Sequence, residues 1–325
     1  MRESFKYLQV EQQGRVLIVR LDNPPLNFLT TAVMNELNQL LGELKRRGNV
    51  GAVILTSAID GIFLTHFDVA EIKRMAADIP FAVPHVVTNA FAKAESLLGR
   101  IPGMRKLLAF TPAAGVSAMN LFHEVTARMR SMDKVFIAAI NGSAMGGGCE
   151  LTWACDLRVM AEGTLESGAM IGQPEIYIGL IPGGGGTQML ARSVGISRAM
   201  ELCLDGLLLT PREALHLGLL HRVVPGADML DEALVLARRM ARRAPSAVSA
   251  IKRFVYQASA MSFNHGMNVE KACFMSAASQ LGTRQAMNMY GRFVEELTAS
   301  GHALKVSDLQ EWSAGTAIDF SRRPR

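Results

Sequence analysis

The chain has 325 residues, 49% hydrophobic and 19% charged, a balance that supplies a large core in one big domain, or one domain with an appendage, and excludes a disordered chain. Its net charge of +5 gathers in short clusters at predicted helix ends and at the terminus (Lys45-Arg46-Arg47, Arg238-Arg239, Arg242-Arg243, Arg322-Arg323-Arg325), and with 6% aromatic residues this is solvated basic surface rather than a nucleic-acid face, although a phosphate-bearing small anion stays compatible. Met1–Val10 lacks an apolar signal core, no later segment reads as a membrane span, and Cys149, Cys155, Cys203 and Cys273 have neither metal nor disulfide-framework spacing, so the expectation is a soluble cytoplasmic protein with reduced thiols and no metal.

Val16–Leu21 reads as a buried strand, broken by Asp22-Asn23-Pro24-Pro25. Over residues 31–47, Val33, Leu37, Leu40, Leu41 and Leu44 recur at spacings of three and four, which predicts a helix with basic residues in its last turn and Gly48 as its stop. Residues 52–56 form the next strand, and strand, helix, strand of this length predicts a right-handed parallel crossover and an α/β core. The loop 61–67 then feeds a helix starting near Asp68. Between about Lys73 and Arg130, Pro80, Pro84, Pro102-Gly103 and Pro112 divide apolar pieces into several short helices. There Val116, Met119, Phe122, Thr126 and Met129 keep roughly helical spacing, read first as core packing and second as a lid over an apolar ligand.

Val135–Ile140 is short, apolar and unbroken by charge, which suits a strand covered on both faces, although period alone leaves a buried helix open. It runs into Asn141-Gly142-Ser143-Ala144-Met145-Gly146-Gly147-Gly148-Cys149-Glu150. Three glycines strip side chains from the backbone where a helix begins, and its first N–H groups lack intrahelical partners, so a developing oxyanion could be held there with Glu150 one turn further on. A packing or turn role is the commoner fate of such a triplet taken alone. The spacing matches neither nucleotide-binding glycine motif, and Ser143 sits one place early for a Gly-x-Ser-x-Gly nucleophile elbow. A second N–H, from the helix start near Asp68, could converge with that of Gly147 on one carbonyl oxygen.

Downstream, residues 157–160 read as a strand, and Gly183-Gly184-Gly185-Gly186 opens a helix over 187–193 with Gly195 beyond its end. Thr210-Pro211-Arg212-Glu213 is a capping box with Gly218 as the stop, followed by a short strand at 220–224. Helices follow over 231–244 and 246–257, separated by Pro245, then a helical pattern over 266–297 and a terminal extension.

With Asn141-Gly142, Gly146-Gly147-Gly148-Cys149-Glu150-Leu151, Gln173-Pro174-Glu175 and Gly179-Leu180-Ile181-Pro182-Gly183-Gly184-Gly185-Gly186-Thr187-Gln188 in order, the chain resembles the enoyl-CoA hydratase/isomerase, or crotonase, family over about two-thirds of its length. The resemblance implies an α/β fold, a crotonase-like ββα spiral core over residues 1–245 with an insertion at about 73–130. It also implies a helical C-terminal trimerisation region over 246–325, a homotrimer or a hexamer made as a dimer of trimers, and an acyl-CoA thioester substrate. By the same resemblance the backbone N–H groups of Phe67 and Gly147, beside Gly146 and Asp68, form an oxyanion hole, and Glu150 and Glu175 are the two carboxyl groups. Glu150 mainly activates water and Glu175 supplies the α-proton. Coenzyme A would lie against Pro25-Leu26-Asn27, with Lys252 as a candidate phosphate partner. The implied reaction is hydration of a trans-2-enoyl-CoA, with no metal or redox cofactor, no nucleic acid and no membrane insertion.

The chain departs from the family where Thr65-His66-Phe67-Asp68 replaces the usual Ala-Gly-Ala-Asp. Phe67 keeps its N–H, its ring leaves open a narrowed thioester site or an altered reaction, and His66 reads as a tolerated loop residue ahead of an added acid–base group. Gln285-Ala286-Met287 stands where Glu-Gly-Met is usual, the closing Lys-Arg element is absent, and the segments after Glu71 and between Asp156 and Gln173 are longer than usual. The other readings are double-bond isomerisation or thioester hydrolysis on the same scaffold, or a non-catalytic acyl-CoA-binding protein, which has no evident need for both glutamates.

Overall fold

The computed structural model describes residues 5–77, 83–99, 101, 103–108, 111, 114–257 and 260–320. In chain order the first half holds β1 (Leu8–Gln13), β2 (Val16–Leu21), α1 (Thr31–Leu44), β3 (Ala52–Ser57), β4 (Ile62–Leu64), α2 (Val69–Ala77), α3 (His85–Leu98), α4 (Met104–Leu108), α5 (Ala114–Ser131), β5 (Val135–Ile140), β6 (Ser143–Met145) and α6 (Gly147–Trp153). The second half holds β7 (Leu157–Ala161), β8 (Ile171–Gly172), α7 (Gly186–Val194), α8 (Ile196–Leu204), β9 (Leu208–Leu209), α9 (Pro211–His216), β10 (Arg222–Val224), α10 (Met229–Met240), α11 (Pro245–Gln257), α12 (Phe263–Ser279), α13 (Leu281–Ala299) and α14 (Gln310–Ala314).

Six strands form one sheet in the order β1-β2-β3-β5-β7-β10, parallel except for the β1–β2 hairpin. Its central strands β2, β3 and β5 are predominantly apolar because both faces are covered. In β5, Phe136, Ala138 and Ile140 join the core shared with α1 and α5, while Val135, Ile137 and Ala139 face the opposite cluster with α10. α1 buries Val33, Met34, Leu37, Leu40, Leu41 and Leu44, each fully buried leucine contributing on the order of 2 kcal/mol. Thr30 starts it by accepting from Val33 N at 3.2 Å. A second sheet, in the order β4-β6-β8-β9, carries the loops of the functional site.

Several sequence expectations change. α1 ends at Leu44, where Arg46 N–H bonds to Glu43 O and Arg47 N–H to Leu44 O in a tightened last turn, so Gly48 does not make the stop. β1, with the sequence LQVEQQ, shows no apolar run because it is an edge strand with only Leu8 fully buried. The helical stretch 266–297 is two helices, broken at Gln280 where the backbone turns extended (φ −65°, ψ 137°). Helices do occupy the stretch after Glu71, with the 18-residue α5 closing it, while Pro80, Pro102, Pro112 and the terminal arginines Arg322, Arg323 and Arg325 lie outside the described residues. The capping box at Thr210 forms as expected, its hydroxyl accepting from Glu213 N. Among the described residues no helix is long and apolar enough to cross a membrane.

Candidate active site

Parallel pairing of β4 with β6 sets two loops side by side. Ile62 faces Ser143 and Leu64 faces Ala144, and Met145 N donates to Thr65 O at 3.1 Å, so the chain leaves both strands at the same edge. Gly146 then turns into α6 at φ 50° and ψ −127°, a conformation that only glycine adopts readily, with its N–H held by Gly172 O at 2.9 Å. A Cβ placed on Gly147 would stand 3.4 Å from Phe67 N, which measures how closely the two expected donors approach.

Both N–H groups are left available by the backbone around them. Phe67 forms a parallel bridge with Leu29 in which Leu29 N donates to His66 O (2.9 Å) and Asp68 N donates to Leu29 O (2.8 Å), so Phe67 turns its own N–H away from that partner. Gly147 is the first residue of α6 and its N–H precedes any intrahelical acceptor. Neither amide donates to another group among the described residues. The Phe67 ring packs on the main hydrophobic cluster, so it adds to the core beside the site.

Glu150, 5% exposed, points its carboxyl from the first turn of α6 toward the glycine loop, where Gly186 N donates to Oε1 at 2.7 Å. Burial pushes its pKa up to about 8, the nearby Glu175 carboxyl adds to the rise, and the Gly186 and Gly184 amides oppose it. Glu175 opens a 3-10 turn after β8, and burial raises its pKa as well. Gln173, turned with its amide nitrogen toward Glu175, donates to both carboxyl oxygens at 2.9 and 2.7 Å. A Cβ on Gly146 would stand 3.0 Å from Glu175 Oε1, which puts this carboxyl beside the donor turn. Gly184 must lack a side chain for a related reason: a Cβ there would overlap Phe122 Cε1 and lie 2.5 Å from Glu150 Oε2. Two neighbouring carboxyls with raised pKa values favour a state in which one holds a proton while the other is ionised.

The remaining expected residues divide. Pro25 and Leu26 are exposed beside the site, tied to the donor loop by a hydrogen bond from the Thr65 hydroxyl to Leu26 O and by Thr65 N donating to Asn27 O. Asn27 itself is fully buried, and its side chain is consumed by Leu21 O, Ser57 Oγ, Phe63 O and Asn23 N, so it braces the loop instead of meeting a ligand. Asp68 caps α2 through Ala70 N at 2.8 Å. His66 packs against Phe28 with ring centroids 5.0 Å apart and planes tilted by 42°, and its Nδ1 lies 2.7 Å from Phe67 O.

Lys252 overturns its expected role. Its ammonium is buried, donates to Met129 O and Lys134 O (2.7 Å each) and pairs with Asp156 at 2.8 Å, which commits every one of its protons to the interior. The sequence reading also gave no separate role to Gln173 and Gly186, both inside the quoted motifs, nor to Thr65. No residue spacing marks the partners they find. Among the described residues no group of three or more His, Cys, Asp or Glu side chains is arranged to hold a metal ion.

Known proteins carry this arrangement of strands and loops. The family model for enoyl-CoA hydratase/isomerase matches residues 116–299. A probable mitochondrial enoyl-CoA hydratase of Dictyostelium discoideum is 32% identical over 301 residues, spanning 92% of this chain and 92% of its own. A probable enoyl-CoA hydratase of Mycobacterium bovis is 34% identical over 276 residues, spanning 84% of this chain and 90% of its own. The crystal structure of an enoyl-CoA hydratase from Bacillus anthracis superimposes with a TM-score of 0.70 at 25% identity, over 88% of this chain and 96% of that one.

Proposed function

From the premise that the chain belongs to the enoyl-CoA hydratase/isomerase family, we propose that it hydrates trans-2-enoyl-CoA thioesters to 3-hydroxyacyl-CoA. The observation that carries this reading is the meeting of two free amide donors, at Phe67 and Gly147, with two carboxyls of raised pKa, the buried Glu150 and the half-buried Glu175.

In this reading the thioester oxygen accepts from Phe67 N–H and Gly147 N–H, and negative charge grows on it as the enolate forms. Ionised Glu150 takes a proton from water, and the hydroxyl oxygen bonds to C3. The C2–C3 double bond opens, and protonated Glu175 delivers its proton to C2. One water is consumed and both carboxyls return to their starting states after proton exchange, so the step needs no metal or redox group. The presence of both carboxyls supports hydration over isomerisation, which a single carboxylate can perform. The coenzyme A portion of the substrate would lie along Pro25 and Leu26, without Lys252.

The same reading includes assembly as a homotrimer or a dimer of trimers. It is supported by α12 and α13, which bury no residue within one chain and expose Phe263, Phe274 and Met275 at 81%, 71% and 65%. Light scattering on the purified chain checks the assembly.

The test of activity is loss of the conjugated enoyl-thioester absorbance with short, medium and long substrates. Wild type should turn over at least one of them, and Glu150→Gln and Glu175→Gln should each fall by roughly 10²- to 10⁴-fold. Absence of turnover at every chain length, with binding retained, would overturn the hydratase reading.

A further inference from the structure

Helix α5 reaches the glycine loop through three neighbouring side chains. His123 Nε2 lies 2.8 Å from Gly183 O, a Cβ on Gly183 would stand 2.8 Å from Met119 Cε, and the Phe122 ring fills the space a side chain on Gly184 would need. A carbonyl accepts, so the imidazole donates from Nε2. Three residues beyond this anchor, Gly186 N–H donates to Glu150 Oε1.

We propose that His123 is a positioning residue for Glu150: by holding the Gly183 carbonyl it fixes the turn that presents Gly186 N–H to the carboxylate. This rests on the hydratase reading, in which Glu150 is the base. Nε2 carries a proton both in the neutral tautomer used here and in the imidazolium, so the anchor holds in either protonation state. The pH response therefore arises at Glu150. The titratable groups facing that carboxyl are Glu175 on its 3-10 turn, Cys149 on α6 and Cys203 on α8. An amide N–H favours the ionised carboxylate, so loosening the turn raises the pH at which Glu150 ionises.

The experiment compares wild type with His123→Leu, which removes the donor, and His123→Gln, whose amide N–H can reach the same carbonyl. The readouts are kcat and KM on a trans-2-enoyl-CoA across pH, thermal midpoint, and titration of Glu150 by carbon-13 NMR on chain carrying δ-labelled glutamate, assigned with Glu150→Gln. We expect His123→Leu to lose roughly 5- to 10-fold in kcat with little change in KM. The acid limb of its profile and the Glu150 midpoint should both move to higher pH, and His123→Gln should restore them. Unchanged kcat and Glu150 midpoint in His123→Leu overturn the proposal. Equal loss in both variants with a lowered thermal midpoint also overturns it, since that reports folding alone. If wild type hydrates no enoyl thioester, the hydratase reading fails, and the Glu150 midpoint alone decides the positioning: raised in His123→Leu supports it, unchanged sinks it.

Discussion

Gly186 N–H donates to Glu150 Oε1 at 2.7 Å across 36 positions of the chain, joining the first turn of α7 to the first turn of α6. The hydrogen bond favours the ionised carboxylate, yet burial outweighs it and leaves Glu150 titrating near 8. Holding a base in this state costs folding energy. From about pH 4.5, where an exposed glutamate ionises, to about pH 8, the folded chain keeps a proton that the unfolded chain has lost, so stability falls as pH rises through that window. Glu150→Gln carries no such penalty. Its thermal midpoint should match wild type near pH 4.5 and exceed it at pH 8 by the equivalent of a few kcal/mol, while its activity is lost. Melting curves of both proteins at several pH values check this, and a gap that stays constant with pH would contradict it.

The same ionisation sets the acid side of catalysis. Water activation requires Glu150 ionised, so kcat/KM should rise with pH as that carboxyl ionises, with an acid limb near 8. Initial rates across pH 5–10 at low substrate measure that limb, and an acid limb near the ordinary glutamate value would mean that substrate binding or another group controls the step.

Phe67 acts in the proposed site through its backbone, so the side chain and the N–H can be separated by mutation. Phe67→Ala keeps the donor and should retain activity within about tenfold, with a stability loss from the emptied core contact. Phe67→Pro removes the donor while Leu29 keeps its bonds to His66 O and Asp68 N, and kcat should drop by roughly 10²- to 10³-fold. Equal losses in the two variants would place the importance of Phe67 in its ring.

Lys252 ties α11 to the sheet. Its partner Asp156 also accepts from Phe136 N at 2.8 Å and from the Tyr256 hydroxyl at 3.0 Å, so removing the ammonium strands a carboxylate only 14% exposed. Lys252→Met should cost on the order of 3–5 kcal/mol in denaturant unfolding. At temperatures where it stays folded, its KM for a coenzyme A ester should equal that of wild type. A raised KM with unchanged stability would return Lys252 to the phosphate.

What the sequence determined by itself is local. The unbroken run Val135–Ile140 marked a segment buried on all sides and suited to a strand, Thr210 to Glu213 spelled out a helix start, and the glycine triplet placed Glu150 one turn into α6, because each of these depends on contacts a few residues apart. The tertiary structure decided what meets what. Pairing of β4 with β6 brings Phe67 to Gly147, and return of the chain after β8 brings Gln173 and Glu175 to Gly146. Packing of α11 against the sheet draws Lys252 inward to Asp156. Such meetings join positions tens to a hundred residues apart, and no spacing along the chain records them: a side chain's charge and reach are fixed by its identity, but its partner is fixed only when the strands and helices carrying both have packed.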